Sequence, residues 1–404
     1  MRNISMLTKV ELLERSKKHY FSLGIDDGAS NLCKWNYKFG LAKLHYAQES
    51  LGINPNATFI STPDETISRN KARWDSGYGY GGKLTWCDKP EKLIFIDSKP
   101  NACGMLVGGL DELPTPNSII ENMYNVLYED AYIDEIKIKW DFKKGNHFID
   151  VFKTNSEARK NGFPRYTFII HGSAPELRKE NSKGVGLYYD SSKTLYEMSK
   201  KITTPFGDVF YLDGDDAKEY FEFFQYAKKF AAEKRKKVAE LLFGKFTTIS
   251  NPIHQGLRDY NEFLLGAQYV KEPGEKLFPV ALRSDLTAYL ISGNINLDEE
   301  VIDELGFEKR AKKLEIYDRL VNFNTLPHGG GYEIPHIIKV LDVQEYNYDR
   351  YFVCEQRFED AITILSDPQE VQFTYRGKPV VNKLLDLRLG QVAVKMFPRF
   401  ILKM

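Results

Sequence analysis

Apolar residues recur along this chain with two different periods. Short runs rich in β-branched and aromatic residues, most of them bounded by turn formers, read as strands. They are KLIFID (92–97), NHFIDVF (146–152), RYTFIIH (165–171), KLFPVAL (276–282) and LTAYLIS (286–292). Between 215 and 244 the period changes: Tyr220, Phe223, Phe224, Ala227, Phe230, Ala231, Val238 and Leu242 recur at helical spacing. Asp215 and Asp216 suit the amino end of that helix, Gly244 suits its carboxyl end, and lysines fill its second half. The apolar set reads as one buried face. Strands and helices mix without a clean βαβ alternation, so the pattern predicts an α+β (irregular α/β) fold in one body. No internal repeat, low-complexity tract or Ser/Gly-rich linker interrupts it.

Length and composition narrow the picture only a little. The 404 residues suffice for one large domain or two ordinary ones, and 42% hydrophobic with 28% charged residues is ordinary for a globular protein. No apolar run approaches the roughly 18 residues of a membrane span. The start, MRNISMLTKVELLERSKK, lacks the apolar block of a secretory signal, so a cytoplasmic location is expected. Fifty-six basic and fifty-six acidic residues cancel, so a polyanion site has to be a local patch. One candidate is KKFAAEKRKK (228–237), with six basic residues against one acid. It reads either as a phosphate track or as a solvated helix face.

Cysteine and histidine change the picture more. Cys33, Cys87, Cys103 and Cys354 are scattered, without a CxxC or zinc-finger spacing, which argues against a disulfide framework. Buried packing is the default for each. Cys103 nevertheless sits in a turn-rich stretch, IDSKPNACGMLVGG, six positions after Asp97. Of the seven histidines, His19 and His45 lie in polar N-terminal stretches. His147, His171, His254, His328 and His336 lie at strand ends or beside Pro and Gly, where side chains tend to face clefts. Asp97, Cys103, His147, His171 and His254 would offer more ligands than one tetrahedral ion needs. The surplus points to two ions with a shared thiolate. Ligand softness alone puts zinc first for such a set. HGGG at 328–331 reads in two ways: a tight turn, or an anion nest beside a histidine able to carry a nucleotidyl group.

In this order the motifs resemble those of the RtcB family of RNA-splicing ligases. That family carries D-x-x-C-G, G-N-H-F, H-S-G-S, H-N, K-G-A-T, H-G-A-G and a closing strand with Ile-Lys-Gly. This chain has Asp97 followed by Asn101-Ala102-Cys103-Gly104, then Gly145-Asn146-His147-Phe148, His171-Gly172-Ser173, His254-Gln255, Gly266-Ala267-Gln268 and His328-Gly329-Gly330-Gly331. It closes on VAVKMFPRFILKM, and Arg235 and Ser284 match further family positions. The likeness runs from about residue 90 to the end and leaves 1–75 unmatched. It implies one compact domain over 1–404, with mixed sheets around a central metal cleft. It also implies a GTP- and manganese-dependent ligase. Such an enzyme joins 2′,3′-cyclic phosphate or 3′-phosphate RNA ends to 5′-hydroxyl ends, acting on tRNA halves or damaged RNA, with an activating protein partner.

On that likeness His328 is the guanylylated nucleophile, and Cys103 bridges two Mn2+ ions held with Asp97, His147, His171 and His254. Asn146, Gln255, Ser284, Gly329, Gly330 and Lys403 would contact the guanylate. The chain departs from the family at Leu265, where a lysine is usual, at Tyr332, where an arginine is usual, and at Gln255 and Asp150. Lost cations weaken phosphate binding before they weaken metal binding. Two alternatives therefore stay open: a two-metal phosphoesterase or nuclease acting on RNA ends, and a non-catalytic RNA-binding relative.

Overall fold

Four of the five expected strands meet in one seven-stranded antiparallel sheet. Its order is Thr247–Ser250, Gly104–Leu110, Tyr166–Gly172, Phe148–Thr154, Gly390–Leu402, Ala288–Gly293, Leu277–Val280. The computed structural model describes residues 7–402 except 89, 90, 129, 143, 144, 275 and 359. The fifth expected strand shortens to Leu93–Phe95, joins a separate three-stranded sheet and passes into a 3-10 turn, Ile96–Ser98.

A second, five-stranded sheet runs Tyr20–Phe21, Thr58–Ile67, Gly79–Thr85, Glu262–Leu265, Gln255–Leu257, with only the first pair parallel. The fold is α+β with several mixed sheets, as the residue pattern predicts. Among the described residues no helix is long and apolar enough to cross a membrane.

The long helix spans Gly214–Phe243, with Asp215 and Asp216 in its first turn and Gly244 just past its end at φ 68°. Glycine takes that left-handed φ without strain, which is why the helix stops there. Its two halves serve different cores. Val238, Ala239 and Leu242 pack on Leu106, Phe168 and Ile170 of the seven-stranded sheet. Phe223, Phe224 and Ala227 share a core with Tyr37, Leu41 and Leu44 of the helix Gly28–Ser50, and with Phe59. The stretch before residue 75 thus contributes a helix and a fully buried strand to the same packing. The basic run at 228–237 fits neither earlier reading cleanly, because Lys234 and Arg235 are wholly buried and turn inward.

Candidate metal centre and active site

Strand pairing carries three of the expected ligands to one edge. Gly104 pairs with Gly172, and Phe148 pairs with His171. Cys103 and His147 each precede one of these strands and His171 nearly ends the third, so all three arrive together. His254 reaches them from the five-stranded sheet, where it precedes the strand Gln255–Leu257. Its N–H donates to the Cys103 carbonyl at 2.8 Å, and its own carbonyl accepts from Ala267 N at 2.9 Å. Ala267 pairs with Pro327, which sets His328 beside it. The His254 and His328 ring centroids are 4.4 Å apart.

The donor atoms converge. Cys103 Sγ lies 3.1 Å from His171 Nε2 and 3.4 Å from His147 Nε2, and His171 Nε2 lies 3.2 Å from His254 Nε2. Such separations are edges of a coordination polyhedron whose ligands stand about 2.1 Å (nitrogen) and about 2.3 Å (thiolate) from a cation. Cys103, His171 and His254 are buried and form a cluster that can hold a metal ion.

Tautomers favour this. His171 Nδ1 donates to the Asn146 carbonyl at 3.0 Å, which leaves the Nε2 lone pair facing the cluster. Burial holds His171 and His254 well below the usual histidine range, and charge on neighbouring histidines adds to the effect, so both rings are neutral ligands. His147 goes the other way. Burial alone would lower it, but the Cys103 sulfur and the Asp141 carboxylate outweigh that and push it up to about 10. The proton on its Nε2 faces Cys103, and a bound cation would replace it.

Asp97 does not belong to this cluster, contrary to expectation. Its carboxylate accepts from the Phe210 N–H at 2.9 Å, and burial raises its pKa against the pull of Lys43. Sequence neighbours part here because Lys99 (φ 51°) and Ala102 (φ 53°) both adopt left-handed backbone, which turns the chain twice before Cys103. The expected two-ion set therefore lacks its carboxylate.

A different aspartate, Asp64, which the reading of the sequence passed over, serves His328. Asp64 Oδ2 accepts from His328 Nδ1 at 2.8 Å and from the backbone N–H groups of His328 and Gly329 at 3.1 and 3.2 Å. Asp64 is fully buried in the strand Thr58–Ile67, at a register shift between Ser61 and Thr66 that redirects the side chain. The contact keeps the proton on Nδ1 and leaves the His328 Nε2 lone pair free. The one available signal was an acid pair inside TFISTPDETI, a strand otherwise made of apolar, hydroxyl and proline residues.

Of the remaining expected residues, Asn146, Gln255, Ser284, Gly329 and Gly330 line one cavity of about 700 Å³, together with His147, His171, His328 and Gly331. Gln255 accepts a hydrogen bond from the Tyr80 hydroxyl, and its amide Nε2 has no partner among the described residues. The glycines of HGGG do not clear space for an anion alone. A Cβ at Gly329, Gly330 or Gly331 would meet the carbonyl oxygens of Ala281, Arg376 and Asp64 at 2.7, 2.4 and 2.3 Å. The close approach they permit is to the protein's own backbone.

Arg235 is buried and donates to Gly172 O and Asn251 Oδ1. His336 is not among the cavity-lining residues, and Lys403 falls outside the described residues. Arg69, Arg73, Lys139, Arg178 and Arg283 line the cavity, against two acids, Asp141 and Asp150. The wall is therefore cationic although positions 265 and 332 are Leu and Tyr.

Fold and site together define an α+β protein with a buried cysteine–histidine cluster able to hold a metal ion, beside an aspartate-held histidine. No family model matches this chain, and a search of curated proteins finds no match.

Proposed function

We propose that this protein is a metal-dependent nucleotidyl-transfer enzyme acting on RNA ends, with His328 as its nucleophile. One observation carries the reading: His328, its Nδ1 proton held by buried Asp64, stands with ring centroids 4.4 Å from His254 of the metal-competent cluster. A histidine fixed in this tautomer has one nucleophilic nitrogen and a carboxylate that stabilises the charge it gains on attack. The order of motifs, similar to that of the RtcB ligases, supports GTP as donor and RNA 3′-phosphate as acceptor.

His328 Nε2 attacks the α-phosphorus of GTP, the bond to the β-phosphate oxygen breaks, and pyrophosphate leaves. The RNA 3′-phosphate then takes the GMP from Nε2, and a 5′-hydroxyl displaces GMP from the activated end. Bound metal supplies Lewis-acid stabilisation of the phosphoryl oxygens. Cys103, His171 and His254 would hold that cation, and His147 would supply a further donor. Two nitrogens and a thiolate form a softer set than manganese usually selects, so manganese rests on the resemblance alone. The cavity suits a ligand of nucleotide size, and its five cations suit phosphate.

A second reading has its own support. With Asp97 turned away, a second ion keeps only Cys103 and His147, a poorer site. Such a centre fits a phosphoesterase that hydrolyses cyclic-phosphate RNA ends without GTP. Incubation with GTP labelled at the α-phosphate and Mn2+ separates the two. Acid-labile label on wild type and none on His328→Ala supports transfer. GTP-independent opening of cyclic-phosphate ends by unlabelled protein replaces it with hydrolysis.

A further inference from the structure

Behind His147 lies a buried ionic network that the proposed chemistry does not use. Asp141 meets His147 Nδ1 twice, through its backbone carbonyl at 3.2 Å and its carboxylate Oδ2 at 3.0 Å, and Asp141 Oδ1 accepts from Lys234 Nζ at 2.7 Å. Lys234 also pairs with Glu176 at 2.9 Å and donates to the Ser173 carbonyl at 3.3 Å. The Ser173 hydroxyl donates to Asp141 at 3.2 Å, two residues beyond His171. Lys234 has no exposed surface, and its amine comes from the middle of the long helix.

A buried ammonium is costly unless it is held by opposite charge, and here two carboxylates hold it. The arrangement is specific in its direction. Asp141 faces the Nδ1 of His147, while Nε2 of the same ring points at Cys103 Sγ. A carboxylate on the far nitrogen fixes a ligand histidine's tautomer and orientation and raises its basicity. Lys234 restrains that carboxylate from the opposite side. The network also ties the His147 turn to the end of the His171 strand, so two donors are set by one clamp.

We propose that Asp141, clamped by Lys234, is a positioning residue that aims His147 Nε2 at Cys103 and thereby sets how tightly the centre holds a divalent cation. The proposal rests on the metal reading above, and one of its two measurements does not need metal. Cobalt(II) titration of the full-length protein, followed by its thiolate charge-transfer absorbance, compares wild type with His147→Ala, Asp141→Asn and Lys234→Met. Asp141→Asn should weaken cobalt binding about 10- to 100-fold, matching His147→Ala. Nitrogen-15 NMR of labelled histidine in metal-free protein reads the protonation of each His147 nitrogen directly. Asp141→Asn, which keeps the side chain's shape and leaves Lys234 paired with Glu176, should change the His147 pattern and leave His171 as it was.

Wild-type cobalt affinity in Asp141→Asn, or no loss in His147→Ala, overturns the proposal. An unchanged His147 NMR pattern in Asp141→Asn overturns it as well. If wild type takes up no cobalt, the metal reading falls with the affinity claim, whereas the NMR arm still separates a clamp from mere packing. Lys234→Arg should restore most of the affinity lost in Lys234→Met, an outcome that lost packing alone would not give.

Discussion

At the scale of single residues, the site depends on contacts that sequence neighbours do not announce. The pairing of Asp64 with His328 joins positions 264 residues apart. Replacing Asp64 by Asn keeps the shape but removes the charge that fixes the tautomer. Label transfer to His328 should then slow by roughly a hundredfold or more. A rate within threefold of wild type would show that Asp64 only fills space.

Gly266 offers a second test. Its φ is 63°, and a Cβ there would lie 2.1 Å from Tyr80 Cδ1 and 3.0 Å from His328 Cε1. Gly162 has a similar φ of 81° but meets nothing within 4 Å. Gly162→Ala should cost about 1 kcal/mol of backbone strain. Gly266→Ala should cost that plus roughly 1–3 kcal/mol of overpacking and should displace His328. Urea unfolding midpoints compare the two directly, and equal losses would refute the crowding argument.

At the scale of elements, the sequence was informative wherever one segment's own pattern decided its form. The long helix and four strands of the large sheet are set by apolar period and flanking turns, and the structure keeps them within a few residues. His147 and His171 were legible for the same reason, each at the end of a well-marked strand, whereas Cys103 stood out only by its turn-rich setting, before a strand, Gly104–Leu110, that the pattern did not mark. Asp97 misled because nearness along the chain says nothing once two left-handed residues intervene.

Lys234 and Arg235 misled because a run of bases looks solvated until the helix's second packing face is known. For Lys234 the consequence is measurable. Lys234→Met leaves Asp141 and Glu176 buried without their ammonium and should destabilise the fold by about 3–5 kcal/mol. A loss below about 1 kcal/mol in chemical denaturation would mean that water reaches the pair.

At the scale of the whole molecule, two buried histidines outside the cavity add to acid sensitivity. His19 and His45 are buried, with ring centroids 4.7 Å apart. Burial, with charge from nearby arginines, lowers His19 to about 4 and holds His45 well below the ordinary value. The folded protein therefore keeps His19 neutral while the unfolded chain binds a proton below about 6.5. Stability from this residue is complete above that pH and falls as pH drops toward about 4. By pH 5 His19 alone should cost roughly 2 kcal/mol. Urea midpoints between pH 7 and 5 should fall accordingly and flatten in His19→Gln. A slope unaffected by that substitution would assign the loss elsewhere.

The centre also straddles a seam, with Cys103, His147 and His171 on the large sheet and His254 on the smaller one. A cation there would act as a further stitch between two halves already joined by packing and by backbone bonds such as His254 N–H to the Cys103 carbonyl. Whatever binding strength the ion has is then lent to the joint, about 4 kcal/mol at a thousandfold excess over its dissociation constant. Chelation should lower the melting temperature and ease hydrogen exchange first at the facing ends of both sheets. Slow breathing of that seam would in turn set the pace at which metal enters and leaves.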